Sequence, residues 1–167
     1  MNAEAKKTAL RMIPYGIYVL TAKGSDGTVA AATVNWVTQT AFEPPLIAVG
    51  VKSDSGAYHT LKDAGHFALN MLGKGQQETA FAFFKPTRED GGSINGQAYR
   101  AGTTGSPLLD SAHAALECKV TEIVERGDHH IVVGEVIGAS VAQEPAGRPD
   151  EAILEMKDLG EKVFYGG

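Results

Sequence analysis

Three short stretches of the chain carry the residue types from which a binding or catalytic site is made. Thr33-Val34-Asn35-Trp36-Val37-Thr38-Gln39-Thr40 is dense in hydroxyl and amide groups. Such groups offer donors and acceptors to a polar heterocycle without adding charge. A surface strand whose threonines satisfy β-propensity would read the same way. Trp36, the only tryptophan, suits the core or a subunit contact equally well. Val51-Lys52-Ser53-Asp54-Ser55 leads off an apolar run into a helix N-terminus. Free backbone N–H groups, the helix dipole, the serine hydroxyls and Lys52 together make a phosphate cradle. Plain capping by Ser55 accounts for the same residues. His59, one turn further on, either reaches the same anion or sits on the surface. The third stretch is Gly127-Asp128-His129-His130. A bend that delivers a histidine suits a proton donor or a hydrogen-bond partner for a substrate, and it also describes a polar turn with one outward histidine. Neighbouring strand residues point to opposite faces, and two ligands are too few for a metal, so no metal is expected.

These stretches need elements to position them. Ala3–Met12 has helical composition and stops before Pro14. Tyr15–Thr21 and Thr28–Val34 read as strands of a hairpin around the turn cluster Gly24–Gly27. Pro44 and Pro45 open a strand at Leu46–Val51, where a missing N–H is tolerated. Ser53 or Ser55 caps a helix over Ala57–Ala64 that Gly65 ends. His66–Leu72 reads as a strand and Gly75–Phe84 as a helix with Ala80, Phe81 and Phe84 on one face. Lys85–Gly105 is polar and glycine-rich, an excursion rather than a core element. Leu116–Glu125 and His129–Ser140 form a long hairpin with apolar and polar residues alternating. Half a dozen strands with two or three short helices predict an antiparallel barrel, since a parallel sheet needs a helix after nearly every strand.

Composition bounds the functional classes. A length of 167 residues, 43% hydrophobic and 21% charged, predicts one globular domain over residues 1–167. The net charge of −5 advertises neither a nucleic-acid surface nor an anionic membrane partner. Cys118 is the sole cysteine, so no internal disulfide or cysteine metal cluster can form. The first residues lack the apolar core of a signal peptide, and no run reaches the roughly 20 residues of a membrane span. A soluble, cytoplasmic protein is expected. Nucleophile elbow, Walker loop and Rossmann fingerprint are all missing from the sequence.

The order of these stretches resembles the flavin-reductase-like family of FMN-binding split barrels, over about Arg11 to Val141. Ile13-Pro14-Tyr15-Gly16-Ile17-Tyr18-Val19-Leu20-Thr21 is similar to the family's first barrel strand. Ala32–Gln39 running into Phe42-Glu43-Pro44-Pro45-Leu46, then His66–Leu72, then Gly127-Asp128-His129 with Gly134 and Val136, are similar to its later elements. The resemblance implies a mainly β, antiparallel Greek-key split barrel with a few short flanking helices. It implies that Thr33, Val34, Asn35 and Trp36 line the isoalloxazine and ribityl chain, and that Gly50, Val51, Lys52 and Ser55 hold the phosphate end. Phe84 matches a position packed near the flavin, and His129 the histidine where the nicotinamide arrives, with a positioning or proton-donating role. It further implies FMN or FAD as cofactor, NAD(P)H as co-substrate, and a homodimer with the flavin near the interface.

Two departures pull toward a different reading. Trp36 stands where many reductases of two-component systems have a small residue, and Ala41 where they have serine. The Asn-Trp-Val-Thr-Gln run and Phe83-Phe84-Lys85-Pro86-Thr87 resemble the branch found in, or fused to, electron-transfer flavoproteins. The leading expectation is an NAD(P)H:FMN oxidoreductase that serves a partner, and the alternative is a carrier with tightly held FMN and no nicotinamide site. A barrel of the pyridoxamine-phosphate-oxidase or haem-handling kind stands third, because only Lys52 is well placed as a phosphate-binding base.

Overall fold

The structure is a computed structural model that describes all 167 residues. Helix α1 (Ala3–Arg11) starts at Asn2, whose side chain accepts from the Ala5 amide. Strands β1 (Tyr18–Lys23) and β2 (Val29–Val34) form the first hairpin, followed by β3 (Val37–Ala41) and β4 (Leu46–Lys52). Helix α2 (Gly56–Ala64) leads to β5 (His66–Met71) and α3 (Gln77–Ala82). Four short strands follow: β6 (Glu89–Asp90), β7 (Ser93–Ile94), β8 (Gln97–Ala101) and β9 (Pro107–Leu109). The long strands β10 (Ala114–Val124) and β11 (His129–Val141) precede α4 (Pro149–Ala152) and a 3₁₀ turn at Met156–Leu159. No helix is long and apolar enough to cross a membrane.

Seven strands pair antiparallel in the order β2-β1-β5-β10-β11-β4-β3. Consecutive strands β2 and β3 therefore lie at opposite ends of the sheet, joined only by Asn35 and Trp36. Laid flat, such a sheet would separate its edges by about 29 Å. Three Cα steps reach at most about 11 Å. The sheet must roll until its edges almost meet, and this is the split barrel that the sequence implied. The seam falls at Asn35–Trp36, within a stretch that read as the end of one strand.

The barrel's interior is filled by Leu20, Val49, Phe67, Leu69, Cys118 and Val132, all at most 1% exposed. Burial in this apolar packing pushes the Cys118 thiol up to about 12. Helix α2 plugs one end, inserting Ala57, Tyr58 and Leu61. Of the two serines able to cap it, Ser55 does so by accepting from the Tyr58 amide, and Gly65 ends it at φ 68°, a left-handed turn that suits glycine. A second apolar cluster covers the outer face of β1 and includes Val19, Leu72, Phe83, Ile94 and Leu109.

Several details differ from the sequence expectation. The first strand starts at Tyr18 rather than Tyr15, because Gly16 instead bridges to Glu155. The stretch Lys85–Gly105 is not a bare excursion. Its strands β6, β7 and β8 join β9 in a four-stranded sheet that buries Ile94 completely. The helix expected over Gly75–Phe84 shortens to α3, and Phe83 turns into the core in place of Phe84, which is half exposed.

Candidate functional site

The seam leaves a cleft of about 360 Å³ between β2, the end of β4, the start of α2 and the segment after α4. Clefts that take small ligands fall in this size range and combine apolar walls with a few converging polar groups. Nine of the eleven residues proposed from sequence line it: Thr33, Val34, Asn35, Gly50, Val51, Lys52, Ser55, Phe84 and His129. They come from four segments far apart in sequence. Ile17, Phe83, Met156 and Tyr165 complete the wall and were not among the site residues proposed from sequence.

Trp36 stands behind the cleft rather than in it. Its indole packs on Gly50, where a Cβ would stand 3.0 Å from Trp36 Cε3, so Gly50 is the residue that admits the ring. The ring then meets His129 edge-on at 4.5 Å and Tyr165 at 5.6 Å. Its Nε1 is buried without a hydrogen-bond partner. The expected lining role for Trp36 thus becomes support of the residues that do line the cleft. His59 is the second exception. Helix α2 buries Tyr58 and Leu61, one turn apart, and His59 lies about 100° round the helix from Tyr58, facing solvent. There it packs on Tyr58, away from the cleft.

The polar groups gather at one end. In the ladder Lys52 lies directly opposite His129, so phosphate-binding and histidine functions read from separate stretches become cross-strand neighbours. The Ser53 amide donates to the Asp128 carbonyl, locking the two strand ends together. Ser55 Oγ donates to the Lys52 carbonyl at 2.7 Å and caps α2, so capping and cradle share one residue. The Lys52 ammonium is not free. It lies 2.9 Å from Asp54, and that hydrogen bond holds the Asp54 carboxyl below its ordinary range and pushes Lys52 up. An incoming phosphate must therefore share Lys52 with Asp54.

His129 is held from both sides. The Asp128 carboxylate, an acceptor only, takes the Nδ1 hydrogen at 2.9 Å, and Nε2 lies 2.7 Å from the Tyr165 hydroxyl. Burial outweighs the nearby Lys52 charge and pushes the Tyr165 phenol up, so it stays a proton donor. His130 points the other way and packs edge-on against Tyr58 at 4.9 Å, as strand alternation requires. Buried Asn35 donates from Nδ2 to the Tyr165 carbonyl at 3.2 Å. Tyr165 is thus tied to the seam by its main chain and to β11 by its side chain. Nothing local marks it, since its partners lie 36 and 130 residues away.

Barrel, seam cleft and helix-capped polar end define a flavin-binding split barrel, and the flavin reductase like domain family matches residues 10–156. The chain belongs to that family. It is 32% identical over 133 residues to the FMN reductase (NADH) RutF of Pseudomonas syringae, covering 80% of this chain and 74% of the relative. It is 31% identical over 136 residues to the diflavin flavoprotein A 1 of a Synechocystis species, covering 81% of this chain but 24% of that protein. Among solved structures, the NADH:FAD oxidoreductase SgcE6 of Streptomyces globisporus superposes with a TM-score of 0.72 at 28% identity, over 92% of this chain and 87% of that one. The chain spans only 42%, 38% and 57% of the length of three further curated relatives.

Proposed function

We propose that the protein is a flavoprotein that oxidises NAD(P)H and reduces FMN, or FAD, for a partner enzyme. One observation carries this reading: nine residues from four segments converge on a single cleft whose polar end pairs a helix N-terminus and Lys52 with the Asp128–His129 pair. The donor set suits a phosphorylated flavin. Lys52, Ser55 and the first turn of α2 would hold the phosphate. Thr33, Val34, Asn35 and Gly50 would line the ring and ribityl chain, and Phe83 and Phe84 offer apolar surface to them. Bound there, the flavin supplies two-electron exchange with a nicotinamide. His129, with its Nδ1 hydrogen fixed on Asp128, orients the reactant or holds a proton at Nε2.

Relatives named as reductase components support a partner enzyme as the receiver of reduced flavin. We also read the chain as a single domain that works in the cytoplasm as a homodimer. Exposed Ile131, Ile137 and Val141 on β11 give such a dimer an apolar surface. The test is an anaerobic absorbance titration. Purified protein should bind FMN and bleach on addition of NADH or NADPH. His129→Ala should slow bleaching at least about tenfold with FMN content unchanged. A yellow protein that bleaches only with dithionite would establish the carrier alternative, which the branch resemblance and Trp36 favour. A protein that binds no flavin would end both readings.

A further inference from the structure

Behind Tyr165 lies a second cavity, of about 480 Å³, between the end of α1 and the segment after α4. Arg11, Tyr15, Lys157 and Phe164 line it, and Met156 and Tyr165 line both cavities. These two side chains are the partition between the spaces. Arg11 lies 4.2 Å from the centre of the Phe164 ring and reaches the Gly166 carbonyl at 3.5 Å, so a cation and two aromatic faces look into the second cavity.

The partition stands at the polar end of the flavin cleft. Tyr165 is bonded to His129, which lies directly across the ladder from Lys52. A flavin whose phosphate rests on Lys52 and Ser55 meets the Tyr165 ring just past that phosphate. An adenylate attached there is kept out of the second cavity while the ring is in place. With the ring gone, Met156 alone stands between the two cavities, with Arg11 available to a second phosphate and Tyr15 or Phe164 to the adenine face.

We infer that Tyr165 is a specificity-determining residue: it ends the flavin site at the first phosphate and so selects the mononucleotide over the dinucleotide. This rests on the flavin reading above. The Tyr165 half of the partition is not part of the core, whereas Met156 packs on the second apolar cluster. Tyr165 is 47% exposed and lies in a segment without helix or strand. It also leaves a polar group stranded. A Cβ on Gly166 would stand 3.5 Å from Trp36 Nε1, the indole nitrogen buried without a partner, so the segment's seat on the seam leaves that donor unpaired.

The experiment compares FMN and FAD binding to the parent protein and to Tyr165→Ala, by quenching of flavin fluorescence. The parent should prefer FMN. In the variant the FAD-to-FMN ratio of dissociation constants should fall about tenfold, mostly through tighter FAD binding, because a penalty on the competent state is lifted. Trp36 emission, measured without flavin, should shift as the neighbouring ring leaves, and thermal melting should show the variant folded. An unchanged ratio in a folded variant that binds FMN overturns the inference alone. If neither protein binds either flavin, the flavin reading fails and takes this inference with it.

Discussion

The two walls of the cleft are made in different ways. One is the barrel itself: β2, the last residues of β4 and the capped start of α2, tied by a continuous ladder and by side chains buried in the interior. The other is the segment around Tyr165, held by bonds from Asn35 and Arg11, one to His129, and half-exposed ring contacts with Arg11 and Trp36. The first wall is stable because removing it would expose the core. The second stays in place through a few bonds near solvent, each worth about 1 kcal/mol. The fixed wall sets where a ligand lies, and the light one sets how far it extends.

That contrast can be broken in three ways. The largest effect is expected at Leu61, fully buried where α2 plugs the barrel. Leu61→Ala should cost about 3 kcal/mol in denaturant unfolding and loosen the helix start that carries Ser55. A loss under about 1 kcal/mol would show that α2 is not part of the fixed wall. A smaller effect should follow from Asp54→Asn, which frees Lys52 from its exposed partner. FMN affinity should rise about threefold by isothermal titration, and a fall would move the phosphate away from Lys52. The smallest cost in stability belongs to the light wall: Tyr165→Ala, which removes the bond to His129, should cost only about 1 kcal/mol. A cost like that of Leu61→Ala would make the two walls equivalent.

Legibility in the sequence divides along the same line. The fixed wall was readable because its signals are local. Apolar runs mark β4 and β5, a serine cap and Gly65 bracket α2, and the Gly127–His129 bend opens β11. Even where the reading strayed, local geometry accounts for the error. The phase of α2 turns His59 outward, and the seam interrupts Thr33–Thr40 because two residues must carry the chain from one edge of the rolled sheet to the other. Phe83 and Phe84 exchanged places because α3 ends two residues early. Tyr165 had no such signal. It sits near the end of a polar, glycine-bearing run, and only the folded barrel brings Asn35 and His129 to it. Its importance is a property of tertiary contact alone.

Cys118, sealed among Phe67, Leu69 and Val132, gives the molecule an internal clock. A thiol that ionises only near pH 12 and has no exposed surface reacts with an alkylating reagent only when the barrel comes apart. There is no other cysteine to compete for the reagent. The rate at which the native protein takes up one equivalent of label therefore times the opening of the fixed wall and is blind to the light one.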